Sequence, residues 1–242
     1  MPREQLPLSI EVGVPDASGP HRGEGLPSRI APMQPSPGFA PFDDPDYLFE
    51  PWWPGVRALA WVEDGVLGRL QAEGLADALA AFGELADELP GRLMEDGVIL
   101  DGWLLALDDG GWLDAELLRR RLAGDQGAGR PAFVATDLLA SGGVPWTRRP
   151  FGSRRRQLES VLLDGDRCVV SHALVGEGTL LAEALARFGL EAISARRLDA
   201  RHRSGAAGDA WLRVPVAPAL SPERPRLALI QRLPFADEDP AG

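Results

Sequence analysis

All 25 basic side chains of this 242-residue chain, histidine aside, are arginine, and there is no lysine. That choice limits the chemistry. A guanidinium stays protonated at neutral pH and grips carboxylate or phosphate through a planar fork, but it does not attack an electrophile as a neutral amine can. Five arginines, Arg148, Arg149, Arg154, Arg155 and Arg156, fall in one nine-residue window, and Arg196, Arg197, Arg201 and Arg203 form a second cluster. The first window reads either as a nucleic-acid patch, with Arg154, Arg155 and Arg156 as its contacts, or as the solvated start of a helix. A lone Cys168 excludes an internal disulfide and any multi-cysteine metal site. His21, His172 and His202 have no ligand spacing, so no metal centre is expected.

The net charge of −11 argues against a general nucleic-acid binder. The charge is unevenly spread. Residues 41–140 carry 20 acids and 7 arginines, whereas residues 141–216 carry 8 acids and 12 arginines. Apolar residues make up 45%, enough for a packed core. No apolar run approaches the roughly 20 residues that span a bilayer. The first residues lack the apolar centre of a signal peptide. A soluble, cytoplasmic protein without membrane contact is therefore expected.

The elements that position these groups follow from periodicity and turn signals. Residues 1–28 are rich in Pro, Gly and Ser and read as a mobile tail. Residues 56–62 and 66–71 alternate on either side of Asp64-Gly65, which predicts a hairpin. Leu75, Leu79, Phe82, Leu85 and Leu89 repeat near 3.6 and predict a helix over 75–89, closed by Pro90-Gly91. Residues 98–107, 131–139 and 166–171 read as strands. Residues 114–122, 150–162 and 177–188 read as helices. Arg226 to Leu233 is expected to be one more strand, followed by an acidic tail. The division is thus a tail (1–28), one domain (29–216) and a C-terminal strand with its tail (217–242).

Several stretches share an order. Phe49-Glu50-Pro51-Trp52-Trp53-Pro54-Gly55-Val56-Arg57 comes first, with Ile30-Ala31-Pro32-Met33 before it and Arg69 after it. Val98-Ile99-Leu100-Asp101-Gly102-Trp103 follows, then Ala132-Phe133-Val134-Ala135-Thr136-Asp137-Leu138-Leu139 and Pro150-Phe151-Gly152-Ser153-Arg154-Arg155-Arg156. Gly189-Leu190-Glu191-Ala192-Ile193-Ser194-Ala195-Arg196 and Trp211-Leu212-Arg213 complete the series. Over residues 30–215 it resembles the adenylation domain of the ATP-dependent DNA ligases, whose first motif is E-x-K-x-D-G-x-R. The resemblance implies an α+β nucleotidyltransferase fold, two antiparallel sheets with flanking helices around a nucleotide cleft. It leaves no room for the OB-fold domain that usually follows.

The departures are chemical. Trp52 stands at the nucleophilic lysine, Pro54 at the motif's aspartate, Trp103 at the catalytic glutamate and Thr136 at the aromatic that stacks on adenine. By resemblance alone, ATP and Mg²⁺ would be the cofactors, and Glu50, Arg57, Arg69, Glu191, Arg196 and Arg213 would be the nucleotide contacts. Glu50 reads equally well as a solvated strand-end carboxylate, and Arg57 as the partner of a carboxylate. Asp101 and Asp137 read as turn and strand-end residues. Trp52, Trp53 and Trp103 read as packing that fills the cleft. No lysine–AMP intermediate can form on a chain without lysine. The expectation is an inactive ligase-like binding or scaffold module, in DNA repair by family analogy. The alternatives are a working ligase whose nucleophile lies elsewhere and a protein-interaction domain without nucleotide or DNA. DNA contact, where present, is expected to be weak and salt-dependent, and a protein is the other candidate partner.

Overall fold

Alternation across Asp64-Gly65 does produce a hairpin. In the computed structural model Asp64 (φ 53°) and Gly65 (φ 70°) both adopt the left-handed conformation that a tight two-residue turn demands. Residues 26–72, 74–75 and 78–233 are described. The strands are β1 (Met33–Gln34), β2 (Ser36–Pro37), β3 (Tyr47–Pro51), β4 (Val56–Glu63), β5 (Val66–Ala72), β6 (Val98–Leu107), β7 (Arg130–Ser141), β8 (Val144–Pro145), β9 (Cys168–Val170), β10 (Leu174–Val175), β11 (Ala192–Arg197), β12 (Gly205–Ala206) and β13 (Trp211–Pro215). The helices are α1 (Ala78–Ala81), α2 (Ala115–Leu122), α3 (Phe151–Val161), α4 (Gly178–Ala186) and α5 (Leu227–Ile230).

Two larger sheets carry the fold. One runs β5-β4-β6-β7-β8, with β9 beside β7. The other runs β10-β3-β11-β13-β2. The expectation of two antiparallel sheets needs correction, because both are mixed: β9 pairs parallel with β7, and β2 parallel with β13. A further small parallel pair joins β1 to β12. Strands β6 and β7 are buried almost along their whole length, which explains their near-continuous apolar runs. Within β6, Gly102 allows close strand packing, since a Cβ there would come within 2.8 Å of the Phe133 ring.

Two sequence expectations fail for local reasons. The helix over 75–89 breaks up: α1 is one turn, and 3₁₀ turns follow at Gly83–Asp87 and Pro90–Arg92. Phe82 leaves helical conformation (φ −131°, ψ 34°) directly before Gly83, a poor helix former. Phe82, Leu85 and Leu89 are nonetheless fully buried, so the apolar spacing reported the buried face and not an unbroken helix. The expected strand over 226–233 contains α5 instead. Leu227, Ile230 and Leu233 are buried three residues apart, the spacing of a helical turn.

The other helices form where read. Asp114 caps α2 by accepting the Leu117 N–H at 2.9 Å. Most of the proposed tail lies outside the described residues. Its last residues are docked: the Trp61 indole donates to Pro27 O at 2.8 Å, and Leu26 packs by Leu59 and Trp61.

Candidate functional site

Cross-strand register assembles the candidate residues. On one sheet Glu50, Ser194 and Arg213 lie in one row, and Leu48, Arg196 and Trp211 two residues further along, on the same face. Trp52 extends this face past the end of β3, its N–H bonding Ala192 O at 3.1 Å. On the other sheet Arg57 pairs with Trp103, Leu59 with Asp101, and Asp101 with Asp137. The two faces meet. Trp52 and Trp103 pack edge to face with ring centroids 4.8 Å apart, and Trp52 lies 6.1 Å from Trp211. Trp53 is fully buried in the same apolar cluster as Trp103, its indole donating to Ser171 Oγ at 3.0 Å.

Most charged candidates are consumed inside the protein. Arg57 forks onto Asp101, with Nε 2.8 Å from Oδ1, donates to Met33 O, and lies 4.5 Å above the Trp211 ring. Arg196 is buried between the rings of Phe151 and Trp211 and donates to Asp137 Oδ2 at 2.9 Å. Glu50 is buried and paired with Arg155, which also donates to Ser171 O and to Glu159 at 2.8 Å. Arg154 clamps Asp137 bidentately at 2.8 and 2.7 Å. Arg69 donates to Ser28 O and lies 5.2 Å from the Trp61 ring. Thr136 Oγ1 donates to Asp101 O at 3.3 Å. Glu191 and Arg213, like Arg69 and Arg156, reach solvent without an ion-pair partner among the described residues. Arg213 lies 5.1 Å over Trp52.

Arg154, Arg155 and Arg156 therefore do not form a surface patch together. Arg154 and Arg155 face inward, and Arg156 alone of the three is exposed. Apart from Arg57, read as the partner of a carboxylate, the ion-pair lattice was missed from sequence. Its signal was a carboxylate inside a buried apolar run, as at Asp101 and Asp137, because carboxylates are rarely buried unpaired.

The electrostatics follow from burial. Desolvation pushes the Glu50 carboxyl above its ordinary range, with Arg155 and Arg196 opposing. Burial acts on Asp137 in the same direction, but Arg154 and Arg196 outweigh it and hold that carboxyl below its usual value. Burial lowers Arg196 and His202. Glu50 Oε2 and Arg196 Nε are buried without a hydrogen-bond partner among the described residues. Cys168 is buried, with its thiol pushed up to about 12.

The cleft is narrowed and not sealed. A cavity of about 470 Å³ remains beside Trp52, Trp103, Trp211 and Arg57. Another of about 570 Å³ lies on the far side of Trp52, lined by Phe188, Glu191, Arg213 and the segment Pro222 to Pro225. Among the described residues no group of three or more His, Cys, Asp or Glu is placed to hold a metal ion, and no helix is long and apolar enough to cross a membrane.

Comparison with known proteins gives these residues a context. No family model matches the chain. It is 27% identical over 190 residues to the multifunctional non-homologous end joining protein LigD of Mycolicibacterium smegmatis, covering 77% of this chain and 24% of that protein. It is 36% identical over 125 residues to DNA ligase C of Mycobacterium tuberculosis, covering 47% of this chain and 33% of that one. The solved mycobacterial DNA ligase D, complexed with ATP and MES, superposes with a TM-score of 0.63 at 25% identity, over 76% of this chain and 60% of that one. The chain is homologous to the ATP-dependent DNA ligases and shares the fold of their adenylation domain. It spans about a quarter of the end-joining protein's length.

Proposed function

We propose that this chain is a ligase-like nucleotidyltransferase domain that no longer transfers nucleotide and serves as a binding or scaffold module. The reading rests on Trp52, which the resemblance sets at the lysine position, packed against Trp103, which it sets at the glutamate position, in a chain with no lysine to take over. Self-adenylation forms a phosphoramidate by attack of a neutral amine on a phosphorus centre, with developing charge stabilised by metal and cations. The amine is absent, and the carboxylate that would serve ribose and metal is an indole. Arg57 and Arg196, which the resemblance would assign to nucleotide, are committed to Asp101 and Asp137. The residues present do not fit ATP with Mg²⁺ as reactants.

A place in DNA repair is supported by the end-joining relative. A protein partner is favoured over DNA, because Arg154 and Arg155 are unavailable to a duplex and the chain carries −11. Nucleotide binding without transfer is a second reading, favoured by the two cavities flanking Trp52.

Intact mass spectrometry after incubation with ATP and Mg²⁺ tests the loss of chemistry. The expected mass is unchanged. A stoichiometric AMP adduct, labile in acid and stable in alkali, would overturn it. A wild-type melting temperature raised by ATP would select the second reading.

A further inference from the structure

The buried pairing of Arg154 has an outward consequence. Its Nη1 donates to Arg149 O at 2.7 Å and to Ala200 O at 3.2 Å, while the rest of the guanidinium is clamped on Asp137. It thereby staples together two surface loops distant in sequence. Phe151 N–H to Ala200 O (2.7 Å) and His202 N–H to Thr147 O (3.0 Å) complete the seam. These loops carry Arg148 and Arg149 on one side, Arg201 and Arg203 on the other, all exposed. Arg149 is fixed 4.1 Å over the Trp146 ring. None of the four has a carboxylate partner among the described residues. The carboxylates of the adjoining segment, Asp199 and Asp209, are already held by Arg197 at 2.9 and 3.4 Å. In a chain of net charge −11, two stapled loops thus present four uncompensated guanidinium groups.

We propose that this corner is a docking surface for an anionic peptide segment of a partner protein, rich in Asp and Glu or phosphorylated. Arginine forks suit both carboxylate and phosphate. The compactness of the basic corner favours a short segment over a polynucleotide. The chain as a whole carries −11, so a polyanion longer than the corner meets net repulsion beyond it. This deepens the binding-module reading and is independent of the loss of transfer, which the mass measurement tests separately.

The test is fluorescence anisotropy on the full chain. The probes are a labelled glutamate-rich peptide, the same peptide with phosphoserines, a neutral glutamine analogue and a labelled DNA duplex. Both anionic peptides should bind and the neutral one should not. Tighter binding of the phosphoserine form identifies phosphate as the anion, and equal binding identifies bulk negative charge. Replacing Arg148, Arg149, Arg201 and Arg203 together by alanine should weaken binding by about tenfold or more. Arg130→Ala, at an exposed arginine elsewhere, should leave it unchanged. The double reversal Arg148→Glu with Arg201→Glu gives the same readout from a less altered surface, should the quadruple variant fail to fold. Binding of neither anionic peptide, binding indifferent to these variants, or tighter binding of the duplex through the same arginines would overturn the proposal.

Discussion

On the proposed reading, replacing Trp52 with lysine supplies the residue that ligation chemistry requires, and it should still fail. Trp52 is half-buried, with Trp103 edge-on at 4.8 Å, Trp211 at 6.1 Å and the Arg213 guanidinium over its face at 5.1 Å. Each ring contact is worth about 0.5–1.5 kcal/mol beyond its buried area, and a part-exposed cation–π contact about 0.5–1 kcal/mol. Losing them together costs about 2–4 kcal/mol, and the new ammonium also sits beside Arg213. For a domain of this size the melting temperature should fall by about 5–15 °C. No AMP adduct should form, because an indole still occupies the carboxylate position at 103. Differential scanning calorimetry with and without ATP–Mg²⁺, paired with intact mass, reads both outcomes. A Trp52→Lys protein as stable as wild type, raised in melting temperature by ATP and carrying AMP, would refute the reasoning.

Three further predictions concern the ion-pair lattice. Asp137→Asn strips charge from the acceptor shared by Arg154 and Arg196 and should cost about 3–5 kcal/mol in urea unfolding, as breaking a buried pair does; an unchanged midpoint would remove the lattice from the stability argument. The Asp137 carboxyl is held below its usual range, so its stabilisation is present above the unfolded-state value and lost as pH falls through the folded one. The gap between wild type and Asp137→Asn should therefore close only in acid. Glu50 has the opposite sign: its carboxyl is pushed up, so its contribution is present at low pH and lost as pH rises through the folded value. Glu50→Gln should gain stability relative to wild type as pH rises above the ordinary carboxylate range, and a gap that does not vary with pH would contradict the burial argument. Arg156→Ala should change stability by less than about 0.5 kcal/mol, whereas Arg154→Ala should cost about 3–5 kcal/mol; equal effects would mean that Arg154 is not the buried staple.

How much was legible depended on how local the determinant was. The hairpin at Asp64-Gly65, the capped helix α2 and the buried strands β6 and β7 were readable, because turn chemistry, capping and apolar runs act over a few residues. The helix over 75–89 was misread because apolar spacing reports the buried face, while Phe82 and Gly83 decide whether the backbone stays helical. The last segment was misread because the eight residues from Arg226 carry too little pattern to separate a strand from a helical turn. In the site, the motif series brought Glu50, Trp52, Arg57, Trp103 and Arg196 to one place. It did not disclose their partners. Asp137 receives Arg154 from 17 residues away and Arg196 from 59, and Glu50 receives Arg155 from 105. Such pairings belong to the tertiary structure, and adjacent arginines in a sequence say nothing about which way each will face.

The lattice also bears on why retained motif residues do not imply retained function. Glu50, Arg57 and Arg196 keep a charge, or the same residue, at ligase-like positions, yet each now completes an internal ion pair. Loss of Arg57 or Arg196 would leave Asp101 or Asp137 short of a cationic partner, which is strongly destabilising, so folding alone accounts for both. Glu50, whose burial opposes its charge, is not explained in this way. The tryptophans act in the same direction. Trp52, Trp103 and Trp211 form one aromatic contact series between the two sheets, and Arg57, Arg196 and Arg213 lie on its faces. Restoring one catalytic side chain removes a ring from that series without freeing the arginines from their carboxylates. On the proposed reading, transfer would require lysine at 52, a carboxylate at 103 and release of Arg57 and Arg196 together, and each step taken singly should lower stability before it supplies chemistry.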